Sequence, residues 1–170
     1  VSLSIAEINA MRPAEFVAAL GGVFEHSPWI AERTLVRRPF ADAAGLHEAM
    51  VDVVRSASRE EQLGLLRAHP ELAGREAQAG TLTADSTAEQ RSAGLNALTG
   101  DEMARVARLN RAYRDRFGFP FIIAVRRHSK DGIFAEFERR LGNDTEAERR
   151  ECLEQVYIIT RLRLDALVGA

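Results

Sequence analysis

The residues best suited to chemistry lie in the stretch Ala68-His69-Pro70-Glu71-Leu72-Ala73-Gly74. A strong helical pattern stops there, because Pro70 lacks an N–H and its ring clashes with the preceding turn. Pro70 also drives His69 toward an extended backbone. An imidazole at a helix end, on a backbone with few choices, is well aimed for proton transfer. The same side chain also favours the negative end of a helix dipole, so an acid/base role and a capping role both stand open. A second polar group follows at Ser86-Thr87-Ala88-Glu89-Gln90. Its Ser-x-x-Glu spacing predicts a helix start, whose N–H groups suit an anion or a carbonyl-rich ligand. Glu89 either back-bonds Ser86 or serves a ligand, and Gln90 is either solvated or part of a site. Pro120 and the two bulky residues after it favour an extended or irregular segment. The run Phe119 to Val125 is either a buried connector or a source of backbone N–H and C=O groups for a planar polar ligand. Arg161 and Arg163 stand two apart on a helical pattern, so at most one reaches a pocket. A guanidinium is the best partner here for a carboxylate or ureido group.

Other chemistries find less support. The four histidines, His26, His47, His69 and His128, form no His-x-x-x-His pair and no Cys/His cluster, so no metal site is expected. There is no Gly-rich phosphate loop of Walker or dinucleotide type, and no Gly-x-Ser-x-Gly elbow. The single cysteine, Cys152, makes no internal disulfide and reads as a small semi-buried hydrophobe. A formal net charge of -2 gives no electrostatic case for nucleic acid or an anionic membrane. No signal peptide, transmembrane-length run or Ser-Lys-Leu ending is visible, so the expectation is a soluble cytoplasmic protein.

The elements that must position these groups read as helices. At 170 residues, 46% hydrophobic and 28% charged, the chain fits one globular domain, expected over 1–170. Ser4 predicts a helix over Ile5 to Ala10, and Pro13 starts the next, with Phe16, Val17 and Leu20 on one face. Ser27 and Pro28 predict a third, ended by Pro39. Asp42 starts a helix to about Arg55. Ser58 and Glu61 form a capping box for another that reaches Ala68. Gly74 to Gly80 reads as loop. Further helices are predicted from Ser86, from Asp101 to Phe117, from Ile133 to Leu141 after a turn at Asp131-Gly132, and from about Thr145 to Val168. The expectation is an all-α, single-domain globular bundle of about eight helices.

Five segments together resemble the OHCU decarboxylases, which act on 2-oxo-4-hydroxy-4-carboxy-5-ureidoimidazoline in the ureide pathway of urate breakdown. They are Phe24-Glu25-His26-Ser27-Pro28-Trp29, the His69 stretch, Ser86 to Gln90, Phe117-Gly118-Phe119-Pro120-Phe121-Ile122-Ile123, and Leu162-Arg163-Leu164. They run in the family's order and cover essentially the whole chain. The resemblance implies a cofactor-free, all-α, homodimeric enzyme that yields (S)-allantoin from a small ureidoimidazoline. By it, His69 is the acid/base catalyst and Glu89 helps orient the reacting group. Pro70, Ser86, Thr87, Ala88 and Gln90 line the substrate pocket, as do Phe121, Ile122, Ile123, Ala124 and Val125. The family's C-terminal arginine matches Arg163, with Arg161 as the competing assignment. The rival reading is a non-enzymatic all-helical protein-interaction module, since a generic helical pattern hosts many functions.

Overall fold

The computed structural model describes residues 2–169. Ten α-helices and two short 3-10 turns make up the regular structure among them: α1 (Ile5–Ala10), α2 (Pro13–Leu20), α3 (Trp29–Thr34), α4 (Ala43–Ser56), α5 (Arg59–Ala68), α6 (Arg75–Ala79), α7 (Ala84–Ser92), α8 (Gly100–Phe117), α9 (Lys130–Leu141) and α10 (Thr145–Leu167). The turns are Leu35–Arg37 and Val125–Arg127. No strand occurs among the described residues; one parallel bridge joins Leu3 to Val168. The fold is all-α, as the periodicity predicts.

Several helix starts follow the capping chemistry of the sequence. Ser4 and Glu7 form a reciprocal capping box on α1, and Asp42 accepts the Gly45 N–H at 2.7 Å to open α4. Ser58 accepts from the Glu61 N–H at 3.1 Å ahead of α5. Three local expectations are corrected. Arg75–Ala79 is a short helix rather than loop, because Gly80 at φ 70 closes it in the left-handed conformation. Asp131-Gly132 is no turn but the first turn of α9, since Ser129 caps the Gly132 N–H at 3.0 Å. The helix that carries Glu89 starts at Ala84, not at Ser86, because the Thr83 hydroxyl captures the Ser86 N–H at 3.2 Å.

The chain forms two compact units, Val1–Ala68 with Tyr157–Ala170, and His69–Val156. In the first, α3 packs on α2 and on α4, and Ile8, Phe16, Ile30, Leu46, Met50 and Val54 are fully enclosed. The parallel bridge belongs to this unit, through Leu3 N–H to the Leu167 carbonyl at 2.9 Å and Gly169 N–H to the Leu3 carbonyl at 3.0 Å. In the second, α8 packs on α9 and α7 meets the turn Val125–Arg127. Its core is aromatic: Tyr113 lies edge-on to Phe121 at 5.4 Å between centroids, and Phe121 stacks on Phe137 at 3.9 Å. Helix α10 begins in the second unit and ends in the first.

Candidate active site

His69 directly follows α5 and is half-buried, with Pro70 buried behind it. The loop it opens has no helix or strand bonding of its own, so side chains hold it instead. The Ala73 N–H donates to Gln90 Oε1 at 2.9 Å, and Gln90 Nε2 donates to the Glu71 carbonyl at 3.3 Å. Asn110 Nδ2 from α8 donates to the Leu72 carbonyl at 3.0 Å. Glu71, an ordinary loop residue by sequence, pairs with Arg114 at 3.0 Å. Ala73 sits at φ 47, a left-handed conformation that a non-glycine residue adopts only under such restraint. Gly74 is required by space, for a Cβ there would lie 2.7 Å from the Glu71 Cβ.

The candidate residues of α7 do not share one environment. Ser86 and Gln90, four apart, are buried on one face, and Glu89 is half-buried beside them. Thr87 and Ala88 are exposed. Ser86 is the third helical residue, so residues 86–90 form the body of the first turns and the free-N–H reading of this stretch is withdrawn. Gln90, read from sequence as solvated or ligand-facing, is 6% exposed and spends its amide on the His69 loop. A cavity of about 350 Å³ opens on another side of this helix, lined by Gln78, Leu82, Thr87, Gln90, Leu95 and Met103 among others. Neither His69 nor Glu89 lines it.

The apolar run is irregular, as Pro120 predicts, and Phe119 to Val125 are all buried. Its backbone is tied down by side chains of α9 and α10. Arg140 Nη1 donates to the Ile122 carbonyl at 2.7 Å, and Gln155 Oε1 accepts the Ala124 N–H at 2.9 Å. Arg140 also stacks over the Phe121 ring at 4.4 Å and binds Glu148 at 3.0 Å, both charges being wholly enclosed. Tyr113 donates to Glu148, and Asn143 Nδ2 does so at 2.9 Å. Arg140 Nη2 reaches Cys152 Sγ at 3.2 Å. Burial pushes the Cys152 thiol up to about 11, and burial first, then Cys152, pushes the Tyr113 phenol far above its ordinary value.

In the first unit, the structure separates the two candidate arginines. Arg163 is buried and meets Glu25 Oε2 at 3.2 Å and the Val23 carbonyl at 3.4 Å. Arg161 is partly exposed and pairs with Asp165 at 2.9 Å on its own helix.

Arg140, Glu148, Gln155 and Asn110 escape a reading by residue type, because isolated charged or amide groups on long helices default to solvent. Their helical spacing did carry a signal. Arg140 continues the apolar stripe Ile133, Phe137 of α9, and Glu148 precedes Cys152 and Val156 at intervals of four. Among the described residues no three His, Cys, Asp or Glu side chains group as a metal-binding set. None of the helices among them is long and apolar enough to cross a membrane.

A family model described as OHCU decarboxylase matches residues 9–165. The decarboxylase named for 2-oxo-4-hydroxy-4-carboxy-5-ureidoimidazoline in Haloferax volcanii is 44% identical over 162 residues, covering 95% of this chain and 94% of the relative. The mouse protein of the same name is 40% identical over 168 residues, with 99% and 94% covered. A uric acid degradation bifunctional protein of Bacillus sp. is 41% identical, and this chain spans only 32% of its length. A crystal structure of (S)-allantoin synthase superimposes with a TM-score of 0.77 at 31% identity, over 98% of this chain and 54% of that one. A crystal structure of an OHCU decarboxylase solved with (S)-allantoin shares the fold, with a TM-score of 0.70 at 18% identity over 92% and 98%. The motifs, the all-helical fold and these near-full-length matches agree: this chain belongs to the OHCU decarboxylase family.

Proposed function

We propose that the protein removes carbon dioxide from 2-oxo-4-hydroxy-4-carboxy-5-ureidoimidazoline to give (S)-allantoin in urate degradation, with His69 as the acid/base catalyst. The substrate's carboxylate sits on a carbon that also bears a hydroxyl. Loss of carbon dioxide leaves an electron pair on that carbon, and the adjacent conjugated ring delocalises it. The ring thus serves as its own electron sink, so the reading includes no cofactor. What remains for the protein is to hold the carboxylate and to deliver a proton to one face of the enol-like intermediate. His69 performs that transfer with Glu89 beside it. Arg163 and the backbone of Ile122 to Val125 hold the polar periphery, and Pro70, Ser86 and Phe121 shape the walls. Thr87, Ala88 and Gln90 complete the proposed lining, Gln90 by fixing the loop. A single catalytic domain over 1–170, a homodimer and a cytoplasmic setting belong to the same reading.

The observation that supports it most directly is the pair of hydrogen bonds at the Gln90 amide, which accepts from the Ala73 N–H and donates to the Glu71 carbonyl. It ties the loop that carries His69 to the helix that carries Ser86 and Glu89, so the candidate acid/base groups stand on one rigid support. A positioned acid/base group contributes typically about 100- to 10,000-fold. We expect His69→Asn to fold with unchanged far-ultraviolet circular dichroism and to lose stereospecific product formation by a factor in that range. The assay follows freshly generated substrate by absorbance and the product by its circular dichroism. Near-normal, stereospecific turnover by the folded variant sinks the assignment.

A further inference from the structure

The segment Phe119 to Val125 poses a physical problem that its sequence does not solve. Seven consecutive residues are buried without helix or strand bonding through Ala124, and buried backbone polar groups demand partners. The partners come from side chains. Arg140 takes the Ile122 carbonyl at 2.7 Å, and Gln155 takes the Ala124 N–H at 2.9 Å. In a planar trans peptide the C=O and the N–H point in opposite directions. Holding the Ile122 C=O on Arg140 and the Ala124 N–H on Gln155 therefore turns the Ile123 N–H away from Arg140 and the Ile123 C=O away from Gln155.

Arg140 is an expensive residue for this duty. A wholly buried guanidinium–carboxylate pair gains little stability over apolar packing of the same volume. What an apolar residue cannot supply is a directed donor. The Arg140 fork is fixed by Glu148 at 3.0 Å and by Phe121 beneath it at 4.4 Å, so its Nη1 arrives at Ile122 in one orientation. Glu148 is itself held by Tyr113 and Asn143.

The geometry points to Arg140 and Gln155 as positioning residues for the decarboxylation: they act through the Ile122 carbonyl and the Ala124 N–H to set the two peptide planes that offer the Ile123 N–H and C=O to the substrate. This rests on the reading that the Ile122 to Val125 backbone holds the substrate's polar periphery. Neither side chain touches substrate in this account, and both tune binding rather than proton transfer.

Gln155 gives the cleaner test, since it is half-buried and its loss leaves the Arg140–Glu148 pair whole. In the full-length protein, Gln155→Leu is expected to raise KM about tenfold, the worth of one hydrogen bond in a preorganised site, with kcat within about threefold of the wild type. The backbone amide resonances of Ile123 and Ala124 shift in the same variant. Gln155 Nε2 also donates to Glu151 at 3.2 Å. The conservative rescue is therefore the paired exchange Gln155→Glu with Glu151→Gln, which keeps an acceptor oxygen for the Ala124 N–H, leaves the charge unchanged and restores KM. Arg140→Lys keeps the charge but loses the fork, and it is expected to raise KM at least as much in its folded fraction. Unshifted amides with an unchanged KM in Gln155→Leu overturn the positioning role and leave the proposed function standing. Shifted amides with an unchanged KM show a braced segment that does not hold substrate; that result overturns both the role and the substrate-binding part of the proposed function. A KM that rises in Gln155→Leu and stays high in the folded Gln155→Glu, Glu151→Gln exchange also overturns it.

Discussion

Two buried guanidinium–carboxylate pairs among the described residues, Arg140 with Glu148 and Arg163 with Glu25, are built differently. Arg140 and Glu148 stand on helices α9 and α10, are wholly enclosed, and are joined by three bonds of 3.0 to 3.2 Å. Arg163, on α10, meets a carboxylate carried by the irregular segment between α2 and α3, with Glu25 at 3.2 Å and the Val23 carbonyl at 3.4 Å. That segment includes His26 at φ 59, outside any helix. A pair carried by two helices, with aromatic stacking beneath it, behaves as a frame. A guanidinium whose carboxylate is carried by a loop can exchange it for a substrate carboxylate at smaller cost. The same two residue types therefore divide between scaffold and proposed ligand contact according to what carries the acid.

The largest effect expected from this contrast is on stability. Removing one member of a fully buried pair costs about 3–5 kcal/mol, because the other charge is left uncompensated. Arg140→Met is expected to lose that much in urea unfolding, and Arg163→Met distinctly less, since Glu25 stands on a loop that can turn toward water. Equal losses would mean that both pairs are structural frames, and would remove the distinction.

How much of this was legible beforehand depends on the scale of the signal. Helix existence was readable from period and caps, down to α1 at Ile5–Ala10, except for the single-turn α6 at Arg75–Ala79, which is too short to show a period. The break at Pro70 and the irregular run after Pro120 were readable because proline acts locally. The start of α7 was misplaced because Thr83 and Ser86 are both competent caps three apart, and only the built helix shows which hydroxyl closes it. Gln90 and Asn110 were illegible as struts. Each bonds the backbone of residues 17 to 38 positions away, and no local pattern encodes such a pairing. Arg140 was legible in principle, as a charge on the Ile133, Phe137 stripe, but a charged residue on a long helix defaults to solvent. Arg163 was singled out by its Leu-Arg-Leu setting, and it is the buried one of the two candidates.

The next effect sharpens the contrast within α10 itself. Arg161 and Asp165 form a surface pair with side chains 41% and 46% exposed, a class worth about 0–1 kcal/mol. Arg163→Ala is expected to raise KM about tenfold or more, whereas Arg161→Ala changes it by less than about twofold. The kinetics are read on fresh substrate with stability measured in parallel. Two small and equal changes would leave Arg163 as a second structural pair, and the loop-borne carboxylate would then have no functional meaning.

The smallest effect concerns protons. The Arg140–Glu148 pair is surrounded by Tyr113 and Cys152, whose protons burial holds in place well above neutral pH. The unit that contains Arg163 carries a buried histidine whose proton is easier to lose. His47 on α4 meets the Thr160 hydroxyl at 3.0 Å, and its pKa is lowered from 6.5, first by burial and then by the Arg161 charge, with Asp165 opposing. Well above pH 6.5 the ring is neutral in both folded and unfolded chains, so stability is independent of this group. As pH falls below 6.5 the unfolded chain takes up the proton first, and stability declines until the folded ring protonates as well. His47→Gln, which keeps a polar partner for Thr160, is expected to flatten that decline in urea midpoints measured from about pH 5 to 8. Arg161→Ala, by removing the charge that opposes protonation, is expected to narrow the pH interval over which stability falls. An unaltered slope in His47→Gln would assign the acid sensitivity to carboxylates, and the two buried pairs would then stand in equally inert surroundings.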